Sequence, residues 1–199
     1  MNVLDLTFNP KSVKLARQLL AEAGMSEPQI TDDVGEIASI LKAEIVGLEN
    51  KFKTENSLAR KLSDYAQEKN LPIKIIAKRT NDVLRYTYLF PKNRYAEGLK
   101  SVQIYFREKG YQIGKIFNGW MLAGTLRDIG YRGINLTIIS SRKQKFELQL
   151  HTKESFRLKT ETHGLYEEFR SPNTSKQRKT EIIAEMIERA KLLKNPKGI

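Results

Sequence analysis

Residues 146–155 read FELQLHTKES. A strand turns successive side chains to opposite faces, so Phe146, Leu148 and Leu150 share one side while Glu147, Gln149 and His151 share the other. One side is built for a core and the other for chemistry. A helical pattern begins at Lys153, and the stretch therefore reads as a strand running into a helix.

Four other short segments, rich in β-branched and aromatic residues, read as strands: IKII (73–76), LRYTYLF (84–90), YQIGKIF (111–117) and GINLTII (133–139). A helix over residues 93–109 separates the second from the third. Before residue 70 the pattern is helical. Asn9-Pro10 starts a first helix, with Val13, Ala16, Leu19, Leu20 and Ala23 on one face and Gly24 as its stop. A second runs from about Thr31 through Val34, Ile37, Leu41, Ile45, Leu48 and Phe52, and a third through SLARKLSDYAQEK (57–69). A helix from Lys153 to about Arg170 is followed by a Ser-Pro-Asn break. The last helix carries Ile182, Ile183, Met186, Ile187, Ala190 and Leu193 on one face. The expected fold class is α+β, a sheet of about five strands flanked by helices. Residues 1–44 read as a helical N-terminal extension, 45–170 as the main domain and 171–199 as a basic C-terminal helix packed on it.

Composition bounds the chemistry. The 199 residues, 40% hydrophobic and 29% charged, suffice for one compact core. There are no cysteines and two histidines, which excludes disulfides and thiolate chemistry and leaves no set for a multi-histidine zinc site. A metal would be a hard ion such as Mg²⁺ on carboxylates. No segment approaches the roughly 18 apolar residues of a membrane span, and the N-terminal residues lack the pattern of a secretory signal. The expected setting is a cytoplasm, the cell's own or one into which the protein is delivered, with no membrane partner. Thirty-five Lys and Arg against 23 Asp and Glu give a formal charge of +12, an imbalance that favours polyanionic partners such as nucleotides, RNA or DNA.

Neither GxxxxGK[ST] nor GxGxxG is present. Polar patterns instead lie beside strand ends. Lys51, Lys53, Ser57 and Lys61 follow the spacing K-x-K-x3-S-x3-K. If a helix carries them, Lys53, Ser57 and Lys61 share a face suited to a triphosphate; taken alone, a solvated helix face explains them as well. Asp82 precedes a strand, where it either holds a metal or caps a turn. Tyr131-Arg132-Gly133 opens another strand with an aromatic for a base and a guanidinium for phosphate. Glu147 is the second carboxylate.

The ordered set K51-x-K53-x3-S57-x3-K61, Asp82, YRG (131–133), ELQLHT (147–152), Lys159 and His163-x-x-Tyr166 resembles the synthetase domain of the RelA/SpoT family, the alarmone synthetases, over about residues 45–170. The resemblance implies a nucleotidyltransferase-like fold and Mg²⁺-dependent transfer of the β,γ-pyrophosphate of ATP to a ribose 3′-hydroxyl. It implies that Lys51, Lys53, Ser57 and Lys61, with Arg85, bind ATP and that Asp82 holds Mg²⁺. Glu147 would assist the metal or activate the hydroxyl. Tyr131, Arg132, Asn135, Gln149 and His151 would line the acceptor site, with Tyr131 stacking on its base.

The departures from the family pattern fall around the acceptor. Nucleotide-making members carry D-x-x-G-x-R, where this chain has Arg85 for the Gly and Thr87 for the Arg. Asn135 replaces the His of YR-x-x-H, and His151 replaces the Arg of E-x-Q-x-R-T. These changes resemble the small toxin branch, some members of which pyrophosphorylate the 3′ CCA end of tRNA and others of which make adenosine alarmones. The tail 171–199 carries seven Lys/Arg against three Glu. The expectation is therefore a tRNA acceptor and inhibited translation, with a free purine nucleotide as the alternative and an inactive RNA- or partner-binding module as the second. A neutralising antitoxin or immunity protein is the expected partner of a toxin.

Overall fold

The computed structural model describes residues 9–121, 130–171 and 173–199; the N-terminal segment 1–8 and Pro172 of the expected Ser-Pro-Asn break lie outside them. Among these residues five strands, β1 (Glu44–Val46), β2 (Arg85–Leu89), β3 (Gln112–Asn118), β4 (Ile134–Ile139) and β5 (Lys145–His151), form one mixed sheet in the order β1-β2-β5-β4-β3. Only β2 and β5 run parallel; the other three pairs are antiparallel. Among the described residues seven α-helices accompany it: α1 (Pro10–Leu41), α2 (Glu55–Lys69), α3 (Ile73–Arg79), α4 (Tyr95–Glu108), α5 (Lys153–Glu161), α6 (His163–Arg170) and α7 (Lys176–Lys191).

The apolar side of the sheet makes the core. Tyr86, Tyr88, Phe146, Leu148, Leu150, Leu136 and Ile138 are all buried, together with Val34, Ile37 and Ala38 of α1 and Val102 and Phe106 of α4. Tyr86 and Tyr88 point their hydroxyls into α1, at the Thr31 hydroxyl and the Val34 carbonyl. Tyr111, just before β3, donates to Asp33 at 2.6 Å. Each buried phenol thus has a partner, as a dry site requires.

Four sequence expectations are corrected. Residues 10–41 form one helix rather than two: Asn9 caps it as expected, its side chain accepting from Lys11 N, but Gly24 does not stop it and Pro28 lies inside it. Both halves bury the same apolar stripe, from Val13 and Ala16 to Val34 and Leu41, and that burial outweighs the local breakers. The helix ends at Leu41, where Lys42 adopts a left-handed conformation. Ile45, Leu48 and Phe52 therefore do not continue it; Glu44–Val46 becomes the edge strand, and Gly47 (φ 71°) turns the chain out of it. IKII is not a strand but the start of α3. Pro72 stands immediately before its first turn, and Ile76 and Ala77 are its buried pair. Finally, the helix expected over 153–170 is two, broken at Thr162 (ψ 0°), whose hydroxyl donates to the Leu158 carbonyl.

Candidate active site

The polar side of the sheet is assembled by register. Arg85 lies opposite Glu147 and Thr87 opposite Gln149 across the parallel β2–β5 pair; Thr137 and Asn135 of β4 face the same two residues from the other side. One surface therefore carries Arg85-Glu147-Thr137 in one row and Thr87-Gln149-Asn135 in the next.

At its β2 edge, residues 51–53 run beside residues 83–85, joined by Lys53 N to the Val83 carbonyl (2.9 Å) and Arg85 N to the Lys51 carbonyl (2.8 Å). This pairing places Lys53 next to Asp82, and α2 brings Lys61 to the same carboxylate. Asp82 accepts from Lys53 Nζ at 2.9 Å on Oδ2 and from Lys61 Nζ at 2.6 Å on Oδ1. Burial opposes the charged carboxylate, yet the two ammonium groups hold Asp82 well below the usual range. Burial also lowers Lys53 against the opposing pull of Asp82. Two cations on one anion leave a net positive corner. The expected helical stripe is not what joins these residues, because α2 begins at Glu55 and Lys53 precedes it in extended chain. Ser57 sits in the first turn, its N–H donating to the capping Thr54 Oγ1, where the helix dipole favours anions. Lys51 turns away from the corner and pairs with Glu27 of α1 at 2.7 Å.

Glu147 stands at the centre of the polar face. Gln149 donates to its Oε1 at 2.6 Å and Asn135 to its Oε2 at 3.4 Å, and Lys159 of α5 donates to Gln149 Oε1 at 2.6 Å. Burial, and then the charge of Asp82, raise the Glu147 pKa, while Arg85 opposes the rise. Burial and the nearby Arg85 push Lys159 down to about 8.

Tyr131 lies against Phe117, its hydroxyl turned inward to Asn135 and to His151 Nε2 (3.0 Å). Arg132 is buried and donates to the Gly119 and Tyr131 carbonyls, at 3.2 and 3.1 Å. His151 has no exposed surface, so among the residues expected at the acceptor it stands behind Tyr131 rather than at the surface. Burial, then Lys159, push it down to about 3; it is neutral.

The structure therefore gathers Lys53, Lys61, Asp82, Arg85, Glu147, Gln149, Asn135 and Tyr131, and sets Lys51, Arg132 and His151 to other contacts. Lys159 had no role assigned from sequence, although its spacing held the signal: Ser155, Phe156 and Lys159 fall at helical steps on the face of α5 that follows β5. Asn81, which donates to Thr137 Oγ1, gave no such signal. Among the described residues no cluster of three or more His, Cys, Asp or Glu could hold a metal, and no helix is long and apolar enough to cross a membrane.

No protein-family model and no curated protein matches the sequence. Solved structures do match in fold. The small alarmone synthetase 1 from Bacillus subtilis, bound to its product pppGpp, is 13% identical with a TM-score of 0.60, covering 88% of this chain and 91% of that one. The same enzyme bound to AMPCPP gives 15% identity and a TM-score of 0.51 over 89% and 88%. The Type VI effector Tas1, in complex with its immunity protein, gives 13% and 0.55 over 89% and 95%. The chain has the RelA/SpoT-type synthetase fold.

Proposed function

We propose that this protein is an ATP pyrophosphokinase of the small alarmone synthetase type, transferring the β,γ-diphosphate of ATP to a ribose 3′-hydroxyl. The observation that supports it most is the Lys53–Asp82–Lys61 corner beside the half-buried Glu147. The hydroxyl oxygen attacks the β-phosphorus, the bond from that phosphorus to the α,β-bridging oxygen breaks, and AMP leaves. Glu147, its pKa raised, takes the hydroxyl proton. Lys53 and Lys61 present two positive charges to the phosphates, with Ser57 and the α2 N-terminus beside them, and Arg85 stands next to Glu147 to meet the charge that develops.

A hard cation such as Mg²⁺ fits carboxylate oxygens; Asp82, with Glu147, would hold one where the ATP phosphates draw Lys53 and Lys61 off the Asp82 oxygens. When bound, Mg²⁺ neutralises charge on the transferred group and the leaving oxygen. Tyr131 offers its ring to the acceptor base.

For the acceptor we put forward the 3′ end of tRNA, so that the modified end can no longer be aminoacylated and translation stops; a neutralising partner protein goes with that role. Support comes from the +12 charge and from Asn135 and His151 at positions where the nucleotide-making pattern has other residues. A free purine nucleotide is the second reading, because a structural neighbour is in complex with pppGpp. The test is ATP labelled on its γ-phosphate, offered with Mg²⁺ and GDP, GTP, ADP, AMP or deacylated tRNA in turn. Label on tRNA that is lost when the 3′ end is oxidised supports the first reading, and label on a nucleotide the second. Label on none leaves a binding module without this reaction.

A further inference from the structure

The Tyr131 hydroxyl touches both Asn135 Oδ1 and His151 Nε2, and His151 Nδ1 lies 3.0 Å from Ser155 Oγ. The direction of every bond in this line follows from its end at Glu147. A carboxylate only accepts, so Asn135 turns its amide N–H to Glu147 and its oxygen to Tyr131. Tyr131 must then give its one proton to Asn135 and has none left for His151. His151 therefore donates from Nε2, which leaves Nδ1 bare, and Nδ1 accepts from the Ser155 hydroxyl. The Thr152 carbonyl, 3.2 Å from Ser155 Oγ, competes for that proton, while Thr152 N–H donates to the same oxygen at 3.0 Å.

We propose that His151 and Ser155 are positioning residues, the last links of a one-directional hydrogen-bond chain Ser155→His151→Tyr131→Asn135→Glu147 that fixes Tyr131 against the acceptor and aims Glu147. The inference rests on the pyrophosphokinase reading of that site. Packing leaves the chain little slack. A Cβ at Gly133 would stand 2.6 Å from His151 Cε1 and 2.9 Å from the Tyr131 hydroxyl, and one at Gly119 would stand 2.5 Å from the Tyr131 ring. The α5 N-terminus supplies the anchor: Thr152 caps it, and Ser155 completes a reciprocal capping box. Ser155 is thus tied to the backbone on one side and to the imidazole on the other. The chain couples the start of α5 to the sheet carboxylate, with Ser155 and His151 buried and Asn135, Tyr131 and Glu147 half-buried.

The test has two parts. Long-range ¹H–¹⁵N correlation on the wild-type protein should find the His151 ring neutral, protonated at Nε2 and bare at Nδ1. An Nδ1–H tautomer overturns the proposal. In the transfer assay, His151→Leu should lower kcat by roughly 10- to 100-fold, the range for removing a hydrogen-bonding support behind a ligand, with ATP binding by calorimetry unchanged. His151→Gln, whose amide N–H can reach the place of Nε2–H, should restore most of the loss. A folded His151→Leu variant with wild-type kcat also overturns the proposal. If the wild-type protein transfers to no acceptor, the functional reading fails and the tautomer measurement decides this inference alone.

Discussion

Asp82 is held between two ammonium groups in a largely buried corner, and its stability contribution has a definite sign. Burial works against the carboxylate and the lysines more than offset it, so its folded pKa lies below the unfolded value near 3.9. The stabilisation is complete above about pH 4 and is lost as the pH falls towards the folded pKa. Asp82→Asn leaves Lys53 and Lys61 without their anion and should cost about 1–3 kcal/mol at pH 7. The difference from wild type in urea midpoint should narrow at pH 3; an equal difference at both pH values contradicts the assignment. Asp82, Lys53, Lys61 and Glu147 were legible in the sequence because an ordered set of short motifs carries them. Ser155 was not, since a serine three residues into a helix reads only as part of a cap until the fold brings an imidazole to it. Nor was the inward turn of His151 legible: alternation placed its side of the strand correctly, but α5 decides that this side is covered there.

Local breakers and shared burial compete along α1, and burial wins. A proline in a helix interior costs about 3 kcal/mol relative to alanine, and by restricting the unfolded chain it returns up to about 1 kcal/mol. Pro28→Ala should therefore stabilise the protein by about 2 kcal/mol, read as an upward shift in urea midpoint. Destabilisation would mean that the proline shapes a bend the core needs. The same competition explains what the sequence hid at this scale. Long amphipathic or alternating segments such as α2, α4, β4 and β5 carry enough periodicity to be read directly. Short apolar runs do not: Ile73–Ile76 fits a strand or a helix turn, and only its packing beside α1 and α2 decides. Glu44–Val46 owes its strand identity to an edge of β2 that needs a partner.

At the scale of the molecule, charge bears on the acceptor. The tail, which reads as a basic helix packed on the domain, is partly neutralised: Arg178 pairs with Glu168 and Glu181, Arg189 with Glu185 and Lys191 with Glu188. Cationic surface for a tRNA must therefore come from more of the chain than α7. A tRNA acceptor predicts that kcat/KM falls roughly tenfold or more between 50 and 200 mM salt, as expected when two or more phosphates are neutralised. An effect confined to ATP binding would point to a free nucleotide instead. The central claim is that one site, built on Asp82 and Glu147, moves a diphosphate as a unit. Chromatography of the nucleotide by-product, in wild type and in Glu147→Gln, tests it most directly. The account predicts AMP formed in step with modified acceptor and lost in the variant. ADP as the by-product, or AMP formed equally well without the Glu147 carboxylate, would contradict it.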